Sequence, residues 1–192
     1  MKPNPGGNEQ LTALAGILLI VFLAVEGATL LNLRALLTVH AFVGMFLLPI
    51  VALKMASTGW RMARYYLGQG EYVRRGPPAL PLRLVVAPVV VASTIVLFGT
   101  GVYLLAVHET HGTAVGLHKA SFFVWLGATS IHVLARLARL SHALRARYSG
   151  LSLRLGLVAV TLVAGAAVAA LTLPGADHLQ DQMAPQIGLD TS

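Results

Sequence analysis

The charges of this chain are gathered into a few short stretches, and between them run apolar segments of 20 residues or more. As helix, at about 1.5 Å rise per residue, such a segment covers the roughly 30 Å of a bilayer's hydrocarbon. Hydrocarbon offers no water to the backbone, so each crossing segment must bond its own amides, and a helix does so. The predicted fold is therefore all-α: a polytopic transmembrane helical bundle of about five spans within residues 1–173. The spans cover Leu11–Leu31, Ala35–Ser57, Leu84–Val107, Val115–Leu137 and Leu153–Leu173. Residues 174–192 read as a polar, exposed C-terminal tail. The N-terminal stretch to Gln10 is short and polar, and the run after it is too long for a signal-peptide core, so it reads as a retained first helix.

Charge supports the same class. Only 11% of residues are charged, against 56% hydrophobic, whereas a soluble domain is nearer a quarter charged. The net charge of +7 comes from arginine-rich loops. One holds Arg61, Arg64, Arg74, Arg75 and Arg83; the other holds Arg136, Arg139, Arg145, Arg147 and Arg154. With five spans both fall on one side, which the positive-inside rule makes cytoplasmic. The N-terminus is then inside and the C-terminus outside, and the second and fourth spans run in the same direction. A bacterial inner membrane suits this pattern. No basic stripe with interleaved aromatics points to nucleic acid.

Absent motifs narrow the chemistry. With no cysteine, the chain makes no disulfide, thiolate metal site, Cys-ligated cluster or covalently attached c-type haem. No phosphate-binding loop, dinucleotide fingerprint or nucleophile elbow lies outside the spans. A reductase carrying its own flavin and nicotinamide sites is excluded.

The remaining signal is histidine within the spans, where ionisable groups are costly and tend to be functional. His118 and His132 on the fourth span are 14 residues apart, about 21 Å along the axis and just short of four turns, so they leave one face at two depths. Neutral imidazole is a good axial ligand for haem iron, and two haems stacked across a membrane need ligands at two depths. The second span carries His40 and, at the same spacing, Lys54. On parallel helices His40 can face His118 and Lys54 can face His132.

This pattern resembles the di-haem, membrane-embedded cytochrome b superfamily, whose members carry paired histidines about 14 apart on two parallel helices. The resemblance covers roughly Leu11 to Leu140 and rests on helix order, direction and spacing. It implies b-type haem, two if Lys54 is a ligand and one if not: His40 and His118 on an outer haem, Lys54 and His132 on an inner one. Lys54 departs from the pattern, since a histidine is expected there. Three readings of it stay open: a neutral amine on the inner iron, a side chain that snorkels or pairs with a propionate, or a chain with an outer haem alone. Arg61 and Arg64 lie where inner propionates would emerge, although orientation signalling explains them equally. Gly44, Gly99, Gly101 and Gly127 could make room for a macrocycle, or simply pack helices closely.

The expected function is transmembrane electron transfer, as the membrane subunit of an oxidoreductase or a quinone-linked chain. Expected partners are a redox subunit or soluble carrier, a quinone and membrane lipid. Two alternatives stand beside it: a haem-free transporter or assembly subunit with histidines along a proton or metal path, and a stand-alone haem enzyme acting on quinone or superoxide. His108, Glu109 and His111 read as a solvated outer loop, with metal binding, proton relay or an alternative ligand to the outer haem as their functional alternatives. Glu26 reads as interfacial or paired with Arg34, with quinone protonation as its functional alternative. His142 lies too far past His132 to substitute for it.

Overall fold

In the computed structural model, residues 5–74, 80–135 and 150–183 are described. Among them every regular element is helical. Helix α1 covers Pro5–Thr29, α2 Leu33–Tyr66 and the short α3 Gly70–Arg74. A π-helical turn, Leu82–Val86, leads into α4, Ala87–Val107. Helix α5 covers Thr113–Leu134 and α6 Leu151–Met183. Three stretches are long and apolar enough to cross a membrane: Gly6–Tyr66, which contains both α1 and α2, then Leu82–Val107 and Leu151–Met183. Helix α5 holds His118, Lys119, Ser121, Thr129, Ser130 and His132, and it is not among these stretches. Large side chains such as Phe123, Val160, Val163 and Leu171 stand on the outer surface, as suits a bundle whose surroundings are apolar.

Local chemistry sets the helix boundaries. The Asn32 side chain accepts from the Ala35 amide and caps α2. The far end of α2 closes with Gly68 at φ +72°, a left-handed position that glycine takes without steric cost. Helix α4 stops at His108, also left-handed at φ 55°, whose amide bonds to the Leu104 carbonyl.

Side-chain pairs fix the direction of the helices. Asn8 and Thr12 on α1 bond to Ser57 near the end of α2, at 3.0 Å each, so α1 and α2 are antiparallel. Trp125 Nε1 on α5 donates to Thr94 Oγ1 on α4 at 3.0 Å, and the same relation holds there. Helix α6 lies antiparallel along α2, with Thr38 against Ala176 and Gln180. Helices α2 and α5 consequently run parallel, yet among the described residues their backbones do not pack closely. The gap between the two backbones forms a slot; α1 and α6 pack on α2, and α4 packs on α5 while also touching α2 and α6.

Two sequence expectations change. Helices α1 and α2 overrun their expected spans, starting at Pro5 and ending at Tyr66. The segment expected as an exposed tail continues α6 through Pro174 to Met183. Ala176 and Leu179 are buried there against Leu105, with Leu37, Ala41 and Met45 around them. The carboxamide of Gln180 bridges backbone atoms of α2, accepting from the Thr38 amide at 3.1 Å and donating to the Arg34 carbonyl. An apolar stripe and one well-placed amide thus make a packed helix of a stretch whose average composition is polar. Arg75, Gly76, Pro77, Pro78, Arg136, Arg139, His142, Arg145 and Arg147 lie outside the described residues.

Close approach of α2 and α6 depends on Gly165. A Cβ there would come within 2.5 Å of the Phe46 carbonyl oxygen, a backbone atom that cannot turn aside. Gly165→Val is expected to destabilise the bundle by about 1–3 kcal/mol, read as a lower melting temperature in detergent. Gly156→Val, where nothing lies within 4 Å of the added carbon, serves as the control and leaves melting nearly unchanged.

Candidate functional site

His40 and His118 meet across the slot between α2 and α5. Their ring centroids are 6.4 Å apart and their planes perpendicular. Each ring is fixed by its Nδ1 atom to the helix packed beside its own. His40 Nδ1 lies 2.9 Å from Thr29 Oγ1 and 3.1 Å from Glu26 Oε1, both on α1. His118 Nδ1 lies 3.0 Å from the Leu97 carbonyl oxygen and 3.0 Å from Thr100 Oγ1, both on α4.

These partners determine the tautomer. A carbonyl oxygen only accepts, so His118 Nδ1 must carry the proton it shares with Leu97. The Thr100 hydroxyl is within reach of the Val96 carbonyl at 2.7 Å, so it too can receive from the ring. At His40, the Thr29 hydroxyl donates to the Glu26 carbonyl at 2.5 Å. Its oxygen is left to accept, and Nδ1–H is again the donor. In each neutral ring Nε2 is then the bare nitrogen. Two bare nitrogens cannot hydrogen-bond to each other; both seek a proton donor or a metal ion.

The separation suits a metal ion. A metal–imidazole bond is about 2.0–2.1 Å, and with roughly 1.1 Å from each nitrogen to its ring centre, two in-line bonds set centroids about 6.3 Å apart. A metal-bound histidine usually donates its second N–H to a carboxylate or a backbone carbonyl, and these two rings have one of each. Among the described residues no group of three or more His, Cys, Asp or Glu could hold a metal ion. Two protein ligands suffice only for a metal that brings most of its own ligands, as a macrocycle does.

Glycines shape the surroundings, though not all as expected from sequence. A Cβ on Gly101 would lie 3.2 Å from His118 Cε1, so this glycine accommodates the imidazole itself. A Cβ on Gly44 would lie 3.4 Å from Glu26 Oε1; its room is used by the carboxylate. Gly99 and Gly127 have nothing within 4 Å of an added Cβ.

At the other end of the bundle Lys54 Nζ donates to the Thr12 carbonyl at 2.6 Å. Gly16 makes this approach feasible, since a Cβ there would stand 2.8 Å from the amine. Lys54 is thus engaged on α1. His132 is half-buried near the end of α5. Arg64 stacks on Trp60, its Cζ 4.1 Å from the ring centroid, and Arg83 lies over Tyr65 and Tyr66. Arg61 is half-buried one turn before Arg64. His108 meets His178 of α6 at 4.8 Å between centroids, and the exposed His111 pairs with its neighbour Thr110.

Glu26, Thr29, Leu97 and Thr100 were missed by sequence reasoning as parts of the site. Glu26 did carry a signal, an acidic residue inside an apolar run, but its partner is His40 and not Arg34. Nothing in the sequence marks the other three. No protein-family model, curated protein or solved structure matches the chain.

The tautomers are directly testable. Nitrogen NMR of ¹⁵N-histidine-labelled, metal-free protein should show His40 and His118 protonated at Nδ1 and bare at Nε2. A protonated Nε2 on either ring would contradict the hydrogen-bond assignment.

Proposed function

We propose that this chain is an integral-membrane b-type cytochrome that carries electrons across the bilayer, with His40 and His118 as axial ligands of a haem near its outer end. The observation that supports the reading is the pair of imidazoles with each Nδ1 engaged on a neighbouring helix and with ring centroids 6.4 Å apart, a separation that two ligands of one metal ion would have. When bound, the haem supplies reversible one-electron chemistry at iron. His40 and His118 would both hold the haem, an arrangement that would suit electron transfer over binding of oxygen or substrate. The residues of this chain hold the rings at fixed orientation, and the apolar helices exclude water from them.

The proposed topology has five spans. Arg61, Arg64, Arg74 and Arg83 gather at the Lys54 end, and His108, Glu109 and His111 lie at the other. The positive-inside rule then puts the Lys54 end in the cytoplasm, as in a bacterial inner membrane. A redox subunit, soluble carrier or quinone delivers the electron at one face, and another of these takes it at the other. Engagement of Lys54 on the Thr12 carbonyl favours a single haem. A second haem on Lys54 and His132 needs that hydrogen bond to break.

Haem-to-protein ratio tests the reading. Purified protein should show a reducible Soret band and α-band. His40→Ala and His118→Ala should each lose at least 90% of the outer-haem signal, on the order of the tenfold or greater cost of losing a metal partner. Lys54→Ala and His132→Ala should keep it. Two haems falling to one in both of the latter variants would establish the inner site. Colourless wild-type protein, expressed with ample haem, would support the haem-free transporter instead.

A further inference from the structure

Arg83 is the second residue of the apolar stretch Leu82–Val107, at the depth where a spanning helix meets the headgroups. It lies on the π-helical turn before α4, in which the Ala87 amide bonds to the Leu82 carbonyl. Pro88 follows at once, and in a regular helix its ring would crowd the Leu84 carbonyl. The wider turn relieves that clash, and such turns frequently mark functional sites. The Arg83 guanidinium lies over two rings at the end of α2, its Cζ 5.0 Å from the Tyr66 centroid and 5.9 Å from that of Tyr65. The rings are inclined at 82° to each other and form a corner for the cation. Among the described residues Arg83 forms no ion pair and donates no hydrogen bond, and its Nε is buried without a partner. A half-buried guanidinium with unmet donors is unfavourable; an anion is what it lacks. From Thr58 to Arg83 the chain has Glu71 as its one acidic residue, against five arginines. Leu80 and Leu84, about one turn apart beside Arg83, are 64% and 63% exposed.

We infer that Arg83, held in the corner of Tyr65 and Tyr66, binds the phosphate of an anionic phospholipid whose acyl chains lie along Leu80 and Leu84. Arginine suits a phosphodiester because its planar fork offers parallel N–H donors to two oxygens. Stacking covers the plane of that fork and leaves its in-plane terminal N–H groups for a ligand. The rings also restrain the long side chain before the lipid arrives, so less freedom is lost on binding. A zwitterionic lipid has the same phosphodiester but brings a second cation beside the arginines, so headgroup charge decides selectivity. The positive-inside rule places this end in the cytoplasmic leaflet, where anionic lipid attracts basic segments. The inference is independent of the haem ligation and needs only that the chain spans a membrane.

The test is native mass spectrometry of the full-length protein in detergent, titrated separately with phosphatidylglycerol and with phosphatidylcholine of the same acyl chains. Wild type should bind phosphatidylglycerol about fivefold more tightly, the worth of roughly one arginine at a lipid surface. Arg83→Gln should remove that preference. Arg74→Gln, which removes an exposed arginine of α3, should keep it. Equal binding of the two lipids by wild type overturns the inference, as does a preference that survives Arg83→Gln. Equal losses in Arg83→Gln and Arg74→Gln also overturn it, since they mark a diffuse basic field and not a site. If Arg83→Gln fails to fold, Tyr66→Leu decides. Tyr66 is 55% exposed, so its replacement spares the packed interior, and loss of one ring should weaken phosphatidylglycerol binding about threefold. Unchanged binding in that variant overturns the inference.

Discussion

The Nδ1–H of each imidazole in the slot is held by the helix beside its own, and the arrangement of the bundle follows from that demand. His40 needs α1 at its flank to receive its proton, and His118 needs α4. Each pair must be antiparallel with its register fixed to within a turn, or Glu26 and Thr29 would pass His40, and Leu97 and Thr100 would pass His118. Bringing both rings to one depth fixes the register of α2 against α5. Their backbones stay apart because two imidazoles stand between them. Small residues fit this scheme where a ring or its acceptor needs volume, at Gly101 and Gly44.

Helices surrounded by hydrocarbon gain little from hiding apolar surface, so contact between them depends on close packing and hydrogen bonds. The α2–α6 seam uses both. Gly165 lets the backbones approach beside Phe46, and Gln180 ties the last turns of α6 to the start of α2. This seam packs on the face of α2 that bears Leu37, Ala41 and Met45, where Leu105 of α4 joins it. The α1–α2 pair is joined at its other end by Asn8, Thr12, Ser57 and Lys54, and the register that seats Glu26 on His40 is maintained along the whole pair.

Hydropathy made the apolar runs legible, because they are a property of composition over about 20 residues. It did not reveal where helices end. Helix α2 continues past Ser57 to Tyr66 although its last turns hold Trp60, Arg61 and Arg64, since polarity does not break a helix that cations and aromatics can stabilise from outside. The last turns of α6 were misjudged for a related reason: Ala176 and Leu179 lie on one face, and averaging hides a face. The histidine pair was legible from spacing on two helices of shared direction. Glu26 was visible as an anomaly, but its partner depended on how α1 is rotated against α2, and a periodicity carries no such information between helices. The same limit applies to Lys54, whose spacing matched a ligand position while its amine donates to a carbonyl of α1.

The two ends of the bundle therefore differ in kind although they share a 14-residue repeat. At the His40 end, polar groups orient two rings and leave their outer nitrogens bare. At the Lys54 end, the amine of Lys54 is engaged on the Thr12 carbonyl. A single haem between His40 and His118 would sit near one face, with most of the roughly 30 Å hydrocarbon still to cross. The proposed electron path would then need another centre toward the Lys54 end. Either Lys54 exchanges the Thr12 carbonyl for a metal, which places the second centre beside His132, or a partner chain brings that centre against the bundle. The first option would loosen the α1–α2 joint as it forms a ligand. Because α1 also carries Glu26, occupancy of the inner site would then be mechanically linked to the seating of the carboxylate on His40. The second option leaves α1 fixed and the outer ligand pair independent of what happens at the far face.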